Sequence, residues 1–197
     1  MFEKSAPDLR SCPRDNRREV AFAGRSNAGK SSVLNAVTGN RKLARTSKTP
    51  GRTRLINCFA ASRGRLVDLP GYGFARVPKA TAARLQQLLE RYLAERANLA
   101  AVVLVMDVRH PFEPADLELI AWARAARVPL HALLNKADKL ARARRNDALA
   151  RAEARLAPDA FTVQLFSAAT GLGRAALVGR LRAWLDGTDE AAGAQPP

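Results

Sequence analysis

Runs of six to eight mostly apolar residues punctuate this chain: EVAFAG (19–24), RLINCFAA (54–61), RLVDLP (65–70), AVVLVMD (101–107), PLHALLN (129–135) and AFTVQLF (160–166). Their length and the turn residues that bound them predict β-strands. Between most of them the period lengthens. Leu85, Leu88, Leu89, Tyr92 and Leu93 recur at intervals of three and four, which lines one face of a helix. Pro114 suits the first turn of a second helix that turns Leu117, Ile120 and Ala121 inward and stops at Val128-Pro129. Two more helices are predicted, from about Asp138 to Leu156 and from about Arg174 to Leu185. Strand–helix alternation of this kind predicts an α/β fold, a mostly parallel sheet with right-handed crossovers and helices on both faces. RLINCFAA and RLVDLP are separated only by the turn at Ser62-Arg63-Gly64, so that pair is predicted antiparallel and the six-stranded sheet mixed. Residues 1–17 and 187–197, the latter reading GTDEAAGAQPP, lack a core pattern and are expected to be mobile tails around one domain spanning 18–186.

Composition narrows the class. At 197 residues and 47% hydrophobic the chain is long enough for one buried core and is neither disordered nor membrane-like in make-up. The longest apolar run, LAAVVLVM (99–106), is far short of the ~18 residues a spanning helix needs. MFEKSAPDLR carries Glu3 and Asp8 and no apolar core of a secretory signal, so a cytoplasmic location without membrane attachment is expected. Cys12 and Cys58 show no CxxC spacing and His110 and His131 no ligand spacing, which argues for reduced thiols and against a transition-metal site. The charge is less ordinary: 33 Lys and Arg against 18 Asp and Glu give a net +15. From Val20 to Val67 there is no acidic residue, while Arg25, Lys30, Arg41, Lys42, Arg45, Lys48, Arg52, Arg54, Arg63 and Arg65 are all cationic. Such an excess points to a polyanion, RNA before DNA, although arginine-rich chains also arise from genomic composition.

The stretch Gly24-Arg25-Ser26-Asn27-Ala28-Gly29-Lys30-Ser31 satisfies GxxxxGK[ST] and stands between a predicted strand and a predicted helix. Glycines let backbone N–H groups curl around phosphate, and the helix N-terminus adds a favourable dipole. Lys30 is placed to reach the terminal phosphates, and the Ser31 hydroxyl to ligate Mg²⁺. A second short pattern selects the base. Asn135-Lys136-Ala137-Asp138 fits NKxD at a strand end, where a carboxylate can accept both guanine N1–H and N2–H; adenine offers no N1–H. Sites built on such bonds reject the analogue lacking the donor by about 10⁴ to 10⁵. Asn135 is expected to brace this loop against the phosphate loop and the Lys136 stem to cover the base plane. Asp68-Leu69-Pro70-Gly71 supplies an acid that can hold Mg²⁺ through water and a glycine N–H that can sense a γ-phosphate. Thr53, in TPGRT, can complete the metal shell, and Phe166-Ser167-Ala168 offers a backbone N–H toward guanine O6.

With GRSNAGKSS, TSKTPGRT, DLPGYGFA, NKAD and FSA in this order, the chain resembles the EngB-type (YihA/YsxC) ribosome-biogenesis GTPases of bacteria, from about Pro7 to Trp184. The resemblance implies a Ras-like P-loop fold, Mg²⁺-dependent GTP binding and hydrolysis, a role in maturing the large ribosomal subunit through its rRNA, and a link to cell division and septation. It implies a nucleotide site made by Gly24 to Ser31, by Gly51, Arg52, Thr53, Arg54 and Leu55, by Asp68 to Gly71, by Asn135 to Asp138 and by Phe166, Ser167 and Ala168. Ser31 and Thr53 are then the metal ligands, and Lys30, Thr53, Asp68 and Gly71 the residues closest to the chemistry. Tyr72 stands where Ras-like switches carry a water-orienting glutamine, so slow hydrolysis is expected until a partner or a monovalent cation completes the site. Asn27 is a candidate K⁺ ligand by analogy with related GTPases; shaping the P-loop is its alternative role. Arg41, Lys42, Arg45 and Lys48 lie in a loop that is expected to order with GTP and to couple nucleotide to rRNA affinity. Lys139, Arg142, Arg144 and Arg145 are read as a solvated helix face. A nucleotide kinase is disfavoured because it needs no guanine-reading NKxD; a nucleotide-gated rRNA-binding module with incidental hydrolysis stays open. A monomer is expected.

Overall fold

Alternate residues of the strand at 19–24 face opposite layers: Ala21 and Ala23 pack into one apolar cluster, Val20 and Phe22 into the other. That two-residue period builds a sheet covered on both faces. The computed structural model describes residues 1–40, 43–44, 55–73 and 78–188. Its strands are β1 (Phe2–Ala6), β2 (Glu19–Gly24), β3 (Ile56–Ala61), β4 (Gly64–Asp68), β5 (Leu99–Asp107), β6 (Leu130–Asn135) and β7 (Thr162–Leu165). They form one sheet in the order β1-β3-β4-β2-β5-β6-β7. The β1–β3 and β3–β4 pairs are antiparallel and all others parallel.

The helices are α1 (Lys30–Thr38), α2 (Lys79–Glu95), α3 (Pro114–Ala125), α4 (Arg142–Leu156) and α5 (Arg174–Asp186). Leu89, Tyr92, Leu119, Ile120, Ala148 and Ala152 place α2, α3 and α4 over the face that carries Ala21, Val102, Leu104 and Leu134. Val33, Leu34, Leu177, Leu181 and Trp184 place α1 and α5 over the face that carries Phe22, Val103, Val105 and Leu133. The fourth helix begins at Arg142 rather than near Asp138, because Ala137–Lys139 forms a separate 3₁₀ turn with Lys136 in the left-handed region at φ 63°.

The sheet has seven strands, not six, because residues 1–17 are not a mobile tail. Residues 2–6 extend the sheet edge beyond β3, and Ala6 and Cys12 are buried. An ionic cluster at the end of the sheet remote from residue 24 holds this segment down. Arg65 is fully buried. Its guanidinium donates to Glu19 Oε1 at 2.5 Å, Glu3 Oε2 at 2.9 Å and Asp15 Oδ2 at 2.8 Å. Arg96 adds a bond to Glu19 Oε1 at 2.7 Å, and the Tyr92 hydroxyl donates to Glu19 Oε2 at 2.8 Å. Arg65, expected to face an external anion, is thus neutralised inside the molecule. Cys12 and Cys58, far apart in sequence, meet as free thiols beneath this segment; the neighbouring Cys12 and burial push the Cys58 thiol well above its ordinary value. The C-terminal tail is described only to Thr188: Gly187 closes α5, and residues 189–197 lie outside the described residues.

Removing one member of a buried ion cluster strands the others, at a cost of about 3 to 5 kcal/mol. Arg65→Met should lower the unfolding free energy by that amount in urea titrations, and a variant as stable as the parent would contradict the clamp. A pH effect follows from the opposite edge of the sheet. His131 lies between Thr162 and Gln164, and burial, with Arg180 nearby, holds its pKa down to about 4. The unfolded chain therefore binds this proton first as pH falls. The stabilisation is complete above the ordinary histidine value of about 6.5 and is lost as pH drops toward 4. Glu3, Asp15 and Glu19, held low by their arginines, lose their contribution only below the ordinary carboxylate range. Between pH 6.5 and 4 the melting temperature of His131→Gln should rise relative to that of the parent, because the variant lacks only the histidine's loss; an unchanged difference between the two across that range would contradict it.

Candidate nucleotide-binding site

Parallel strands deliver their C-terminal loops to one edge, so β2, β4, β5, β6 and β7 all open there. The loop after β2 is kept tight by contacts that exclude side chains. A Cβ on Gly24 would stand 2.5 Å from the Val105 carbonyl oxygen, and one on Gly29, whose φ is +96°, would run into the Asn135 amide. Ala28 N–H donates to Arg25 O at 3.1 Å, and α1 opens at Lys30 with Ser31 half-buried in its first turn. The first N–H groups of a helix have no partner within it, so this end presents donors and a positive dipole.

Lys30 is 8% exposed and its ammonium pairs with the Asp68 carboxylate, itself 4% exposed at the end of β4. The next residues are held as closely: Leu69 N–H donates to Phe22 O at 3.0 Å, Pro70 is buried, Gly71 is half-buried, and Tyr72 O accepts from Ser26 N–H at 2.9 Å. Asn27 is exposed in the left-handed region at φ 67°, and Lys136 Nζ donates to its carbonyl at 2.6 Å.

The loop after β6 completes the opposite wall. Asn135 Nδ2 donates to Ala28 O at 2.8 Å, so the expected brace between the two loops is geometrically present. Ala137 N–H donates to Phe166 O at 3.1 Å, and Ser167 Oγ donates to Asp138 Oδ1 at 2.6 Å. That bond, with Lys139, holds the Asp138 carboxyl below its usual range, ionised and fit to accept. Gly29, Asn135, Lys136, Asp138 and Ala168 line a cleft of about 810 Å³, in the size range of small-molecule sites. Asn135 Oδ1 in its wall is buried without a hydrogen-bond partner among the described residues.

Leu55 is 39% exposed, whereas Gly51, Arg52, Thr53 and Arg54 lie outside the described residues, as do Arg41, Lys42, Arg45 and Lys48. Two side chains at this edge were missed by sequence reasoning. Asp107, at the end of β5 beside Asn135, holds Lys136 Nζ at 3.0 Å, and Arg109 and Lys136 keep its carboxyl far below the usual range despite burial. Its signal was available: AVVLVMD ends on an acid as RLVD does. Asp116, on α3, accepts from the Tyr72 hydroxyl at 3.1 Å, and no local pattern announces that pair. Among the described residues no group of three or more His, Cys, Asp or Glu could hold a metal alone. The Ser31 hydroxyl and Asp68 carboxylate are hard oxygen donors near the phosphate cradle, a set that fits Mg²⁺, which draws its remaining ligands from water and phosphate oxygens.

A strand–loop–helix turn with the sequence GRSNAGKS, an acid at the end of β4 and the NKAD loop, all on one sheet edge, are the arrangement of a P-loop GTPase. The family described as "50S ribosome-binding GTPase" matches residues 19–136. The chain is 47% identical over 186 residues, covering 93% of it and 89% of the relative, to the probable GTP-binding protein EngB of Haemophilus ducreyi. To that of Idiomarina loihiensis it is 54% identical over 153 residues, 77% of this chain and 74% of the relative. A solved structure of a probable GTP-binding protein engB superposes with a TM-score of 0.70 at 25% identity, covering 86% of this chain and 99% of that one. The chain belongs to the EngB family of GTP-binding proteins, and it binds and hydrolyses GTP. Among the described residues no helix is long and apolar enough to cross a membrane.

The glycine geometry gives a direct test. A ligand at 100 times its dissociation constant stabilises its protein by about 2.7 kcal/mol. GDP at that excess should raise the parent's melting temperature, and Gly29→Ala should abolish the rise, because its methyl meets Asn135 and its φ is unfavourable.

Proposed function

We propose that this protein is a Mg²⁺-dependent guanine-nucleotide switch that binds the large ribosomal subunit through rRNA and acts in its assembly, as a cytoplasmic monomer. The observation that carries the nucleotide part is the ionised Asp138 carboxylate, fixed by Ser167 at the mouth of a cleft whose other wall is the P-loop. In this reading Gly24 to Ser31 wrap the phosphates, and Asn135, Lys136, Ala137 and Asp138 hold the base beside Phe166, Ser167 and Ala168. When a polyphosphate binds, the Lys30 ammonium leaves Asp68 for phosphate oxygens and frees the carboxylate. Ser31 and Thr53 would hold Mg²⁺ beside it, with Asp68 reaching the ion through water, and the ion would supply neutralisation of charge on the β- and γ-phosphates. Gly71 N–H reads the γ-phosphate, and Gly51, Arg52, Arg54, Leu55, Leu69 and Pro70 also contribute to nucleotide binding.

Hydrolysis by the protein alone is proposed to be slow, because the Tyr72 hydroxyl is directed at Asp116 and cannot orient a water. A ribosomal partner, or K⁺ held at Asn27, supplies the missing stabilisation. The net charge of +15 and the match to the 50S ribosome-binding GTPase family support the ribosomal reading. Lys139, Arg142 and Arg144 are exposed and suit a solvated face, with Lys139 already 3.4 Å from Asp138.

Two outcomes are expected. Asp138→Ala should reduce the preference for GDP over ADP, measured by calorimetry, by about 10²-fold or more of the about 10⁴ to 10⁵ that such bonds provide; a parent that binds ATP as tightly as GTP would end the guanine reading. Co-sedimentation with large subunits should be stronger with a non-hydrolysable GTP analogue than with GDP, and should weaken steeply with salt. Equal binding in both nucleotide states would contradict the switch.

A further inference from the structure

Tyr72 leaves the nucleotide edge in two directions at once. Its carbonyl accepts from Ser26 N–H in the P-loop, while its side chain runs into the layer between α2 and α3, where it is 5% exposed. There the hydroxyl donates to Asp116 Oδ1 at 3.1 Å. Asp116 is itself 1% exposed, and its second oxygen accepts from Glu113 N–H at 3.3 Å, locking the carboxylate onto the first turn of α3. The same turn meets the P-loop from the other side, with the Arg25 guanidinium 3.9 Å from Glu113. We propose that Asp116 is a positioning residue of GTP hydrolysis, which through the Tyr72 hydroxyl holds the Gly71–Tyr72 turn against the P-loop. This rests on Gly71 being the γ-phosphate reader.

Packing alone does not account for the pair. A phenylalanine would fill the same space and need no buried acid. Burial pushes the Asp116 carboxyl up to about 6, with the Tyr72 bond and Arg25 opposing the rise. A carboxyl raised in the folded state loses stability as pH climbs from its unfolded range to that value, so at neutral pH the ionised group is a cost to the fold. Groups kept at such a cost beside a cleft are candidates for a functional role. The role follows from geometry: the turn that must meet the γ-phosphate is tied to a rigid helix one residue beyond Gly71, and a misplacement of about 1 Å can cost about 10²-fold in rate.

The test replaces both side chains by apolar groups, Tyr72→Phe with Asp116→Leu, which removes a buried charge together with the Asp116 bond to Glu113 N–H at the start of α3. The double variant should fold at pH 7 and bind GDP within about twofold. Its kcat should fall by about tenfold or more with KM nearly unchanged, the signature of an interaction felt in the transition state. Asp116→Asn, which keeps an acceptor for the hydroxyl, should retain most of the parent kcat. A double variant that turns over at the parent rate overturns the proposal, as does one whose GDP and GTP affinities fall by the same factor. If the double variant does not fold, Tyr72→Phe alone carries the same expectation and the same refutation. Gly71→Ala separates the two readings. Intact hydrolysis in that variant removes the γ-phosphate reader itself; lost hydrolysis there, with parent rates in the Tyr72 and Asp116 variants, removes only the role of Asp116.

Discussion

A hydrogen bond 2.8 Å long, from Asn135 Nδ2 to Ala28 O, joins two loops 107 residues apart in the chain, and the geometry of the nucleotide edge depends on it. The bond is possible only because position 29 carries no Cβ: the space that a methyl group would fill is occupied by the Asn135 amide. Glycine here is therefore a tertiary requirement as well as a local one. It lets the backbone adopt a left-handed turn, and it lets the loop after β6 close onto the loop after β2. Lys136 extends the closure by reaching Asn27 O and Asp107, so a single four-residue motif is tied to the loop after β2 and to the end of β5.

The two ends of the sheet solve opposite problems. At the nucleotide edge, polar groups are held by few partners and aimed into a cleft, where ligand oxygens and donors can compete for them. At the other end, Arg65, Glu3, Asp15, Glu19, Arg96 and Tyr92 satisfy one another almost completely. Such a cluster gives little net stability relative to an apolar core, yet it is intolerant of partial loss. Its consequence is register: β1 itself contributes only Ala6 to the buried layer, so the charges at Glu3 and Asp15 join the buried Cys12 in fixing where the N-terminal segment lies.

What was legible in the sequence follows from this division. The P-loop, the DLPG turn and NKAD are contiguous, and each must satisfy local backbone demands, so each could be placed on its strand end before any tertiary contact was known. β1 could not. FEKSA has an almost wholly solvent-facing pattern, and an edge strand of this kind carries no alternation strong enough to distinguish it from a tail. Arg65 was misread for a related reason: its counter-charges come from residues 46 to 62 positions away, beyond any sequence window. The pairing of Cys12 with Cys58 was hidden in the same way, since only the return of the N-terminal segment over β3 brings the thiols together.

Tyr72 shows how a departure from a motif acquires meaning only in three dimensions. In the sequence it reads as the loss of a water-orienting side chain. In the structure the same residue joins the P-loop, through its carbonyl, to α3, through its hydroxyl. A side chain turned inward cannot act on a nucleophile, but it can govern how far its neighbour travels. A buried, hydrogen-bonded attachment point resists displacement more than an exposed one, because moving it would leave the Asp116 carboxylate without its donor in an apolar layer. Under the proposed role this position defines the turn mechanically, and groups outside the turn supply the remaining catalytic stabilisation.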